Sequence, residues 1–366
     1  MKPRERVLKA VDHKEPDRVP IDFGGNLMTG ASPKVLKGIR DCLGLAEQPD
    51  PRFPYFDDSI QKYFGADIRC VPPKPSKDFT PKRDSQGRVA DEWGVFSYYD
   101  SHDNPLRHAT VEDLKRFPWP NYKDPSRMEG VKEYAKFLHE ETDYAVMSEY
   151  FLHGFFEGGC RLRGYDQFLL DLLIDRDFVR TFFDKMLELS LTFIDVYFGE
   201  IGQYVDLFWF GDDAATQKSP YVSVEIYREL VKPYLREMLA AIRKKSKAKI
   251  MHHVCGAARP LIPDYIDLDI DILNPIQPEA VGMAPAGLKA DFGDRIAFLG
   301  GMGLQGPLTR GTPDEVTHCA KELLEIMKPG GGYIFAAVHS LPDDVPPENV
   351  VAMFEAAKKY GQYAGS

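Results

Sequence analysis

Residues 249–277 read KIMHHVCGAARPLIPDYIDLDIDILNPIQ, and the fold turns on this stretch. Lys249 to Val254 is a short apolar run with strand character, broken by Gly256. Pro260 to Leu268 carries helical spacing, and Asp271 to Leu273 opens a second buried strand. A strand, a helix and a strand within thirty residues predict two parallel neighbours joined by a right-handed crossover.

The same unit repeats on both sides. Upstream, Ala145 to Glu149 is a strand followed by helical segments to about residue 198. Val205 to Phe210 (VDLFWF) is a strand closed by Gly211-Asp212-Asp213, and Ser223 to Lys244 is a long helix. Downstream, Ile296 to Leu299 ends in Gly300-Gly301, and Pro313 to Met327 is a helix. Thr312 caps it, Pro313 suits its first turn, and Glu315 stands where a capping box wants a carboxylate. Gly330-Gly331-Gly332 stops it, Tyr333 to Val338 is the last strand, and Pro346 to Tyr360 is the closing helix. Nearer the start, residues 3–13 and 33–43 read as helices, with strands at Arg18 to Phe23 and Ala66 to Pro72. About seven or eight such units predict an α/β fold, a closed (β/α)₈ TIM-type barrel spanning residues 1–366 as one domain. A doubly wound open sheet is the competitor, but no GxGxxG or Walker-type loop accompanies the strands.

One region breaks the rhythm. Lys74 to Pro81 is rich in proline and lysine, Asp84-Ser85-Gln86-Gly87 is a turn signal, and Trp93 to Tyr99 (WGVFSYY) alternates. Residues 76–108 are expected to be an inserted β-hairpin excursion, with 112–125 as the return segment.

Composition narrows the function classes. The 366 residues are 43 % hydrophobic and carry a formal net charge of −10. An acidic chain lacks the basic footprint of a nucleic-acid binder. No run of eighteen apolar residues occurs, so no membrane segment is expected. The N-terminal stretch MKPRERVLKAVDHKEPDRVP has no apolar core and does not read as a signal peptide. Cys42, Cys70, Cys160, Cys255 and Cys319 are odd in number, widely spaced and without a CxxC, which suggests reduced thiols in a cytoplasmic enzyme. Oligomeric state stays open, a homodimer included.

In a barrel of this type the chemistry sits at the carboxyl ends of the strands. The residues there are Asp22, Glu149, Asp212, Asp213, His253, Cys255, Asn274, Gln277, Gly301 and His339. The sharpest feature is His253-Val254-Cys255. Side chains two apart on extended backbone point the same way, and an imidazole beside a thiol suits zinc. HxC alone is a weak motif, and a buried cysteine beside a hydrogen-bonded histidine is the plain alternative. A third ligand has to come from another strand end. His339 is best placed, with Glu149, Asp212 and Gln277 in reserve. His252 points the other way and reads as structural.

Asp212 and Asp213 can orient a substrate or move a proton as catalytic carboxylates, as can Glu149; equally, an Asp there can cap a turn. Asn274 and Gln277 can present amides to a ligand or anchor their loop. Asp22 and Trp209 are further candidates for binding substrate. Phe210, Phe151, Phe155 and Phe156 lie near the same ends, and aromatics there are more often core than pocket. Cys160 and Cys319 fall in helices without a nearby histidine and read as inert.

The segments RVPIDFGG, SVEIYRELVKPYLREMLAAIRK, HHVCGAARPLIPDYIDLDIDILNPIQ, IAFLGGMGLQ and GGYIFAAVHSLPDDVPPENVVAMFEA resemble the uroporphyrinogen decarboxylase superfamily. They are closer still to its corrinoid-linked zinc methyltransferases. The likeness covers nearly the whole chain and is most specific from about Asp206 to Ala357. It implies a (β/α)₈ barrel with the site at the strand carboxyl ends. Porphyrinogen decarboxylases carry an arginine-rich segment near the N-terminus that grips the substrate's carboxylates; Arg18 to Met28 here contains one arginine. The methyltransferases carry His-x-Cys, matched by His253 and Cys255, and a cysteine near the end of a later strand. His339 stands at that later position, and decarboxylases also keep a histidine near it.

The resemblance thus implies methyl transfer between a small methylated donor or an acceptor and a corrinoid held by a partner protein. Zinc would activate a thiol or hydroxyl, and the acceptor would be a thiol cofactor or tetrahydrofolate. Two alternatives stand beside it: a metal-free decarboxylase of a smaller acid using Asp212 or Asp22 with His339, and a non-catalytic ligand-binding member.

Overall fold

The computed structural model describes residues 1–46, 57–85, 87–96, 104–150 and 152–363. Seven parallel strands run in sequence order around one curled sheet. They are β1 (Ile68–Val71), β2 (Ala145–Glu149), β3 (Leu207–Gly211), β4 (Lys249–His253), β5 (Ile272–Ile276), β6 (Ala297–Met302) and β7 (Tyr333–Ala337). Sequential order with helical crossovers is what the strand–helix repetition predicts.

The eighth barrel position is filled by the Arg18 to Phe23 segment, though not as a regular strand. Ile21 forms a parallel bridge with Phe335 of β7. Phe335 N donates to Pro20 O at 2.8 Å, and Asp22 N donates to Phe335 O at 2.9 Å. On the other side Asp67 N donates to Ile21 O at 2.8 Å. Pro20 has no N–H to give, which interrupts the ladder and leaves a bridge where a strand was expected. Side chains compensate. The carboxylate of Asp67, fully buried, accepts from Ile21 N at 2.8 Å, Arg6 Nη1 at 2.6 Å and Arg18 Nη1 at 2.8 Å.

Strand alternation divides the core in two. Ile68, Met147, Leu207, Met251, Ile272, Leu299 and Ile334 face inward and pack as the barrel filling. Their neighbours Val146, Phe208, Ile250, Leu273, Phe298 and Phe335 face outward against the helices. The helix expected over 313–327 forms as Pro313–Met327, with the Thr312–Glu315 capping box in place. The helix expected over 223–244 runs as Val224–Ile226, a π-turn at Tyr227–Val231, then Lys232–Lys245. Lys232 N reaches back to Tyr227 O, and the wider turn accommodates Pro233, which cannot donate to the turn before it.

The excursion is less sheet-like than its sequence suggests. Among the described residues of this region, one antiparallel bridge joins Arg83 and Val89 around the expected turn. Trp93 to Phe96 form a turn and loop rather than a strand, because Asp91 Oδ1 gathers the Trp93 and Val95 N–H groups, both at 2.9 Å. The remainder of the alternating run, 97–99, lies outside the described residues, as does Phe151. Among the described residues no helix is long and apolar enough to cross a membrane.

Candidate metal centre

β4 delivers the site. Met251 and His253 alternate inward, and the chain then turns at Gly256, which adopts φ +88°. A Cβ at Gly256 would lie 2.5 Å from Thr216 O, so only glycine lets the chain turn there beneath the 211–217 loop. Cys255 Sγ consequently sits 3.3 Å from His253 Nε2. His339, just past β7, brings its ring centroid to 5.7 Å from that of His253. One ligand atom from each of His253, Cys255 and His339 lies within 4.8 Å of the others.

The donor set fits zinc. Tetrahedral Zn–N and Zn–S bonds of about 2.1 and 2.3 Å place nitrogen and sulfur roughly 3.5 Å apart, close to the His253–Cys255 separation. Three protein ligands leave the fourth position for a substrate atom. Burial holds both imidazoles below their ordinary pKa, His339 down to about 4, so both are neutral ligands. Burial pushes the Cys255 thiol up, a penalty that a cation removes by pairing with the thiolate.

Neighbouring strands fix the ligands. The register puts Gly211 and Asn274 on either side of His253. His253 Nδ1 donates to Asn274 Oδ1 at 2.7 Å, and Trp209 Nε1 reaches the same oxygen at 3.4 Å. Two converging donors orient the carboxamide and leave Nε2 of His253 to face Cys255 and His339. Asp213 Oδ1 accepts from Cys255 N at 2.7 Å and lies 3.9 Å from His253 Nε2. Gln277 Oε1 accepts from Gly256 N at 2.8 Å, so its amide anchors the ligand-bearing loop.

Other candidates take different places. Asp212 is turned away beneath the helix Phe155–Arg163, accepting from Glu157 N at 2.7 Å and Phe156 N at 3.3 Å. It caps that helix, a use read from the sequence only for its own turn. His252 points outward as expected, stacked on Phe210 with ring centroids 4.5 Å apart. Phe155 and Phe156 are core, packed on Phe183 and Phe168. Gly301, at the end of β6 with φ +100°, brings no side chain to the mouth. Cys160 is buried in its helix. Glu149 and Asp22 enter the barrel interior as a separate pair, each pushed up to about 7 by burial.

The sequence reading passed over three residues. Glu157 and Arg161 form an i,i+4 ion pair on the Phe155–Arg163 helix, and both charges are felt at His253. Arg161 Nη1 also meets His153 Nδ1 at 3.3 Å. Their helical spacing was the available signal. Cys70, inward on β1, hydrogen-bonds Glu149 and had no sequence signal at all.

Comparison with known proteins agrees with this architecture. The uroporphyrinogen decarboxylase (URO-D) family model matches residues 98–360. A methyltransferase from Methanosarcina mazei superposes with TM-score 0.66 at 19 % identity, covering 98 % of this chain and 99 % of that one. A β-glucosidase from Pyrococcus furiosus follows at TM-score 0.43 and 13 % identity, covering 84 % of this chain and 83 % of its own. No curated protein sequence matches the chain. The first structural likeness carries the fold, and the family match spans most of the chain together with six of its seven strands. The chain belongs to the uroporphyrinogen decarboxylase family.

Proposed function

We propose that this protein is a zinc-dependent methyltransferase that moves a methyl group between a small molecule and a corrinoid carried by a partner protein. The observation that carries the reading is the convergence of His253, Cys255 and His339 from two strand ends on one point. A decarboxylase of polycarboxylates would want guanidinium groups in the barrel. Instead, Arg6 and Arg18 are held by Asp67 and Asp17 at the closure seam, and Arg161, whose charge reaches His253, is paired with Glu157.

When bound, zinc would lower the pKa of a coordinated thiol or hydroxyl enough for it to act as an anion at neutral pH. The chain's own residues do the rest. Asn274 holds His253 in the tautomer that offers Nε2. Asp213 pins the backbone of Cys255. Trp209, with its ring centroid 5.6 Å from that of His253, supplies an apolar wall that limits water beside the reacting atom. Asp213 lies beside the ligands, Glu149 and Asp22 lie deeper in the interior, and Asp212 is committed to its helix. Five free cysteines suit a cytoplasmic setting.

The test is metal content with activity. Protein purified without chelator is expected to hold about one zinc per chain and to demethylate methylcobalamin in the presence of a thiol. Cys255→Ser is expected to lose both properties while remaining folded. Full turnover by metal-free protein would overturn the reading, and retention of zinc by the Cys255→Ser, His339→Ala double variant would move the metal elsewhere.

A further inference from the structure

Two carboxylates lie inside the barrel, set back from the metal centre. Asp22, on the closing segment, is 1 % exposed, and Glu149, ending β2, is 8 % exposed. Asp22 Oδ1 accepts from Gly25 N at 2.8 Å, whereas Oδ2 is buried without a fixed hydrogen-bond partner. The Thr29 hydroxyl lies beside it, shared between the Asn26 carbonyl at 3.3 Å and the Asp22 carboxyl. Glu149 Oε1 accepts from Leu27 N, and the Cys70 thiol adjoins the same carboxylate. The nearest opposing charge is Arg69. Its Nη1 donates to the carbonyls of Ala66 and Ile68, at 3.1 and 2.9 Å, and its Nε to Asp58, while Nη2 is buried without a hydrogen-bond partner. Asp67, the other charge acting on Asp22, is tied to Arg6 and Arg18.

Among the described residues no uncommitted cation adjoins the pair, so its charge is met either by retained protons or by a cation brought in from outside. Burial lifts both carboxyls to about 7, and Asp22 lifts Glu149 further. Near neutral pH the pair therefore holds protons that a cation can displace. The pair is also continuous with the metal centre. The register sets Glu149 beside Trp209, and the Trp209 indole reaches Asn274, which holds His253. An aromatic face next to paired carboxylates suits an ammonium group.

We infer that Asp22 and Glu149 form the subsite for an ammonium group of the substrate, whose sulfur or oxygen end lies at His253, Cys255 and His339. The second half of this statement rests on the methyl-transfer reading; the first half does not. The substrate class is a small amine bearing a thiol or hydroxyl within a few bonds of its nitrogen. The ammonium N–H donates to Asp22 Oδ2, and Asp22 and Glu149 keep one proton between them, so that one positive charge meets one negative. Anionic acceptors are disfavoured by the same two carboxylates.

Calorimetric titration of the zinc-loaded protein with cysteamine, 2-mercaptoethanol and 3-mercaptopropionate tests this. Cysteamine is expected to bind roughly tenfold or more tighter than mercaptoethanol, as a charge-assisted hydrogen bond allows. Mercaptopropionate is expected to bind weakest. Cysteamine binding is expected to release protons, read from the dependence of the heat on the buffer's ionisation enthalpy. Asp22→Asn and Glu149→Gln are expected to bring cysteamine down to mercaptoethanol. A parallel arm uses metal-free wild-type protein with propylammonium and propanol. Preference for propylammonium there upholds the subsite even if no zinc or thiol binding is found, which would sink only the metal reading. Equal binding of cysteamine and mercaptoethanol, or a cysteamine preference that survives in both variants, overturns the subsite.

Discussion

His253 Nδ1 lies 2.7 Å from Asn274 Oδ1, and this contact between neighbouring strands decides which ring nitrogen faces the other ligands. Asn274→Leu removes the acceptor and leaves Nδ1 unpartnered in a buried site. The expected outcome is a loss of about 10–100-fold in zinc affinity, with the far-ultraviolet circular dichroism unchanged. Asn274→Asp keeps an acceptor and is expected to bind zinc far better than the leucine variant. Chelator competition measures all three, and equal affinities would remove Asn274 from the site.

Asp67 joins the first and last parts of the barrel. It is fully buried, and its carboxylate is shared by Arg6, Arg18 and the Ile21 amide. Asp67→Ala leaves two guanidinium groups facing each other at the seam. Removing one partner from a buried ion network costs about 3–5 kcal/mol, and denaturant unfolding is expected to show a loss of that order. Arg6→Met alone is expected to cost less, because Arg18 still neutralises the carboxylate. A loss under about 1 kcal/mol, the scale of a surface pair, would mean that the seam is held by its backbone bonds alone.

The repeat of strands and helices was legible because each strand's apolar run and each helix's cap are local properties; Thr312 and Glu315 announce a helix without tertiary help. His253 and Cys255 were legible for the same reason, since their common side follows from two-residue periodicity. Asp212 was not. Its partners, the amides of Phe156 and Glu157, are more than fifty residues away in sequence, and only the barrel brings them under it. The seam shows the converse case. Pro20 made Arg18 to Phe23 a poor strand by the ladder rule, yet the segment closes the barrel because Asp67 supplies side-chain acceptors where the ladder fails.

Asp22 makes stability depend on pH. Its carboxyl is raised from 3.8 to about 7, chiefly by burial, against the Gly25 amide, Thr29 and Arg69, which favour ionisation. A raised acid binds its proton more tightly folded than unfolded. The ionisation penalty is absent below the unfolded pKa, grows as pH rises from about 4 to about 7, and is complete above that. Asp22→Asn cannot ionise. Wild type is therefore expected to lose stability relative to Asp22→Asn between pH 5 and pH 8, by urea unfolding at each pH. A difference independent of pH, or of opposite sign, would mean that Asp22 is ionised in the folded protein at pH 5.

Gly154 precedes the helix that Asp212 caps. A Cβ at residue 154 would lie 2.4 Å from Asp212 Cγ, with the carboxylate pinned on both oxygens. Gly154→Ala is expected to destabilise by about 1–3 kcal/mol, the range for overpacking. It is also expected to lower activity by shifting Glu157 and Arg161 on the same helix. Gly199→Ala, where a Cβ meets nothing within 4 Å, is the matched control and is expected to be neutral or mildly stabilising. Equal effects at the two sites would show that the Asp212 cap tolerates displacement.

Metal removal separates a catalytic ion from a structural one. The three ligands stand on scaffolding that owes little to the ion: β4 is bonded to β3 and β5, and His339 follows β7, which pairs with β6. The inward layer of Met251, Ile272, Leu299 and Ile334 packs below them regardless. A chelator therefore removes only the linkage term, RT ln(1 + [L]/Kd), about 2.7 kcal/mol at a hundredfold excess over Kd. For a chain of 366 residues that is a fall in Tm of roughly 3–4 °C, growing with the zinc concentration from which it is measured. Readdition of zinc is expected to restore it, and Cys255→Ser is expected to show no fall. Differential scanning calorimetry with and without EDTA gives the answer. Unfolding by EDTA at room temperature would mean that the ion holds the fold together and that the strands do not stand without it.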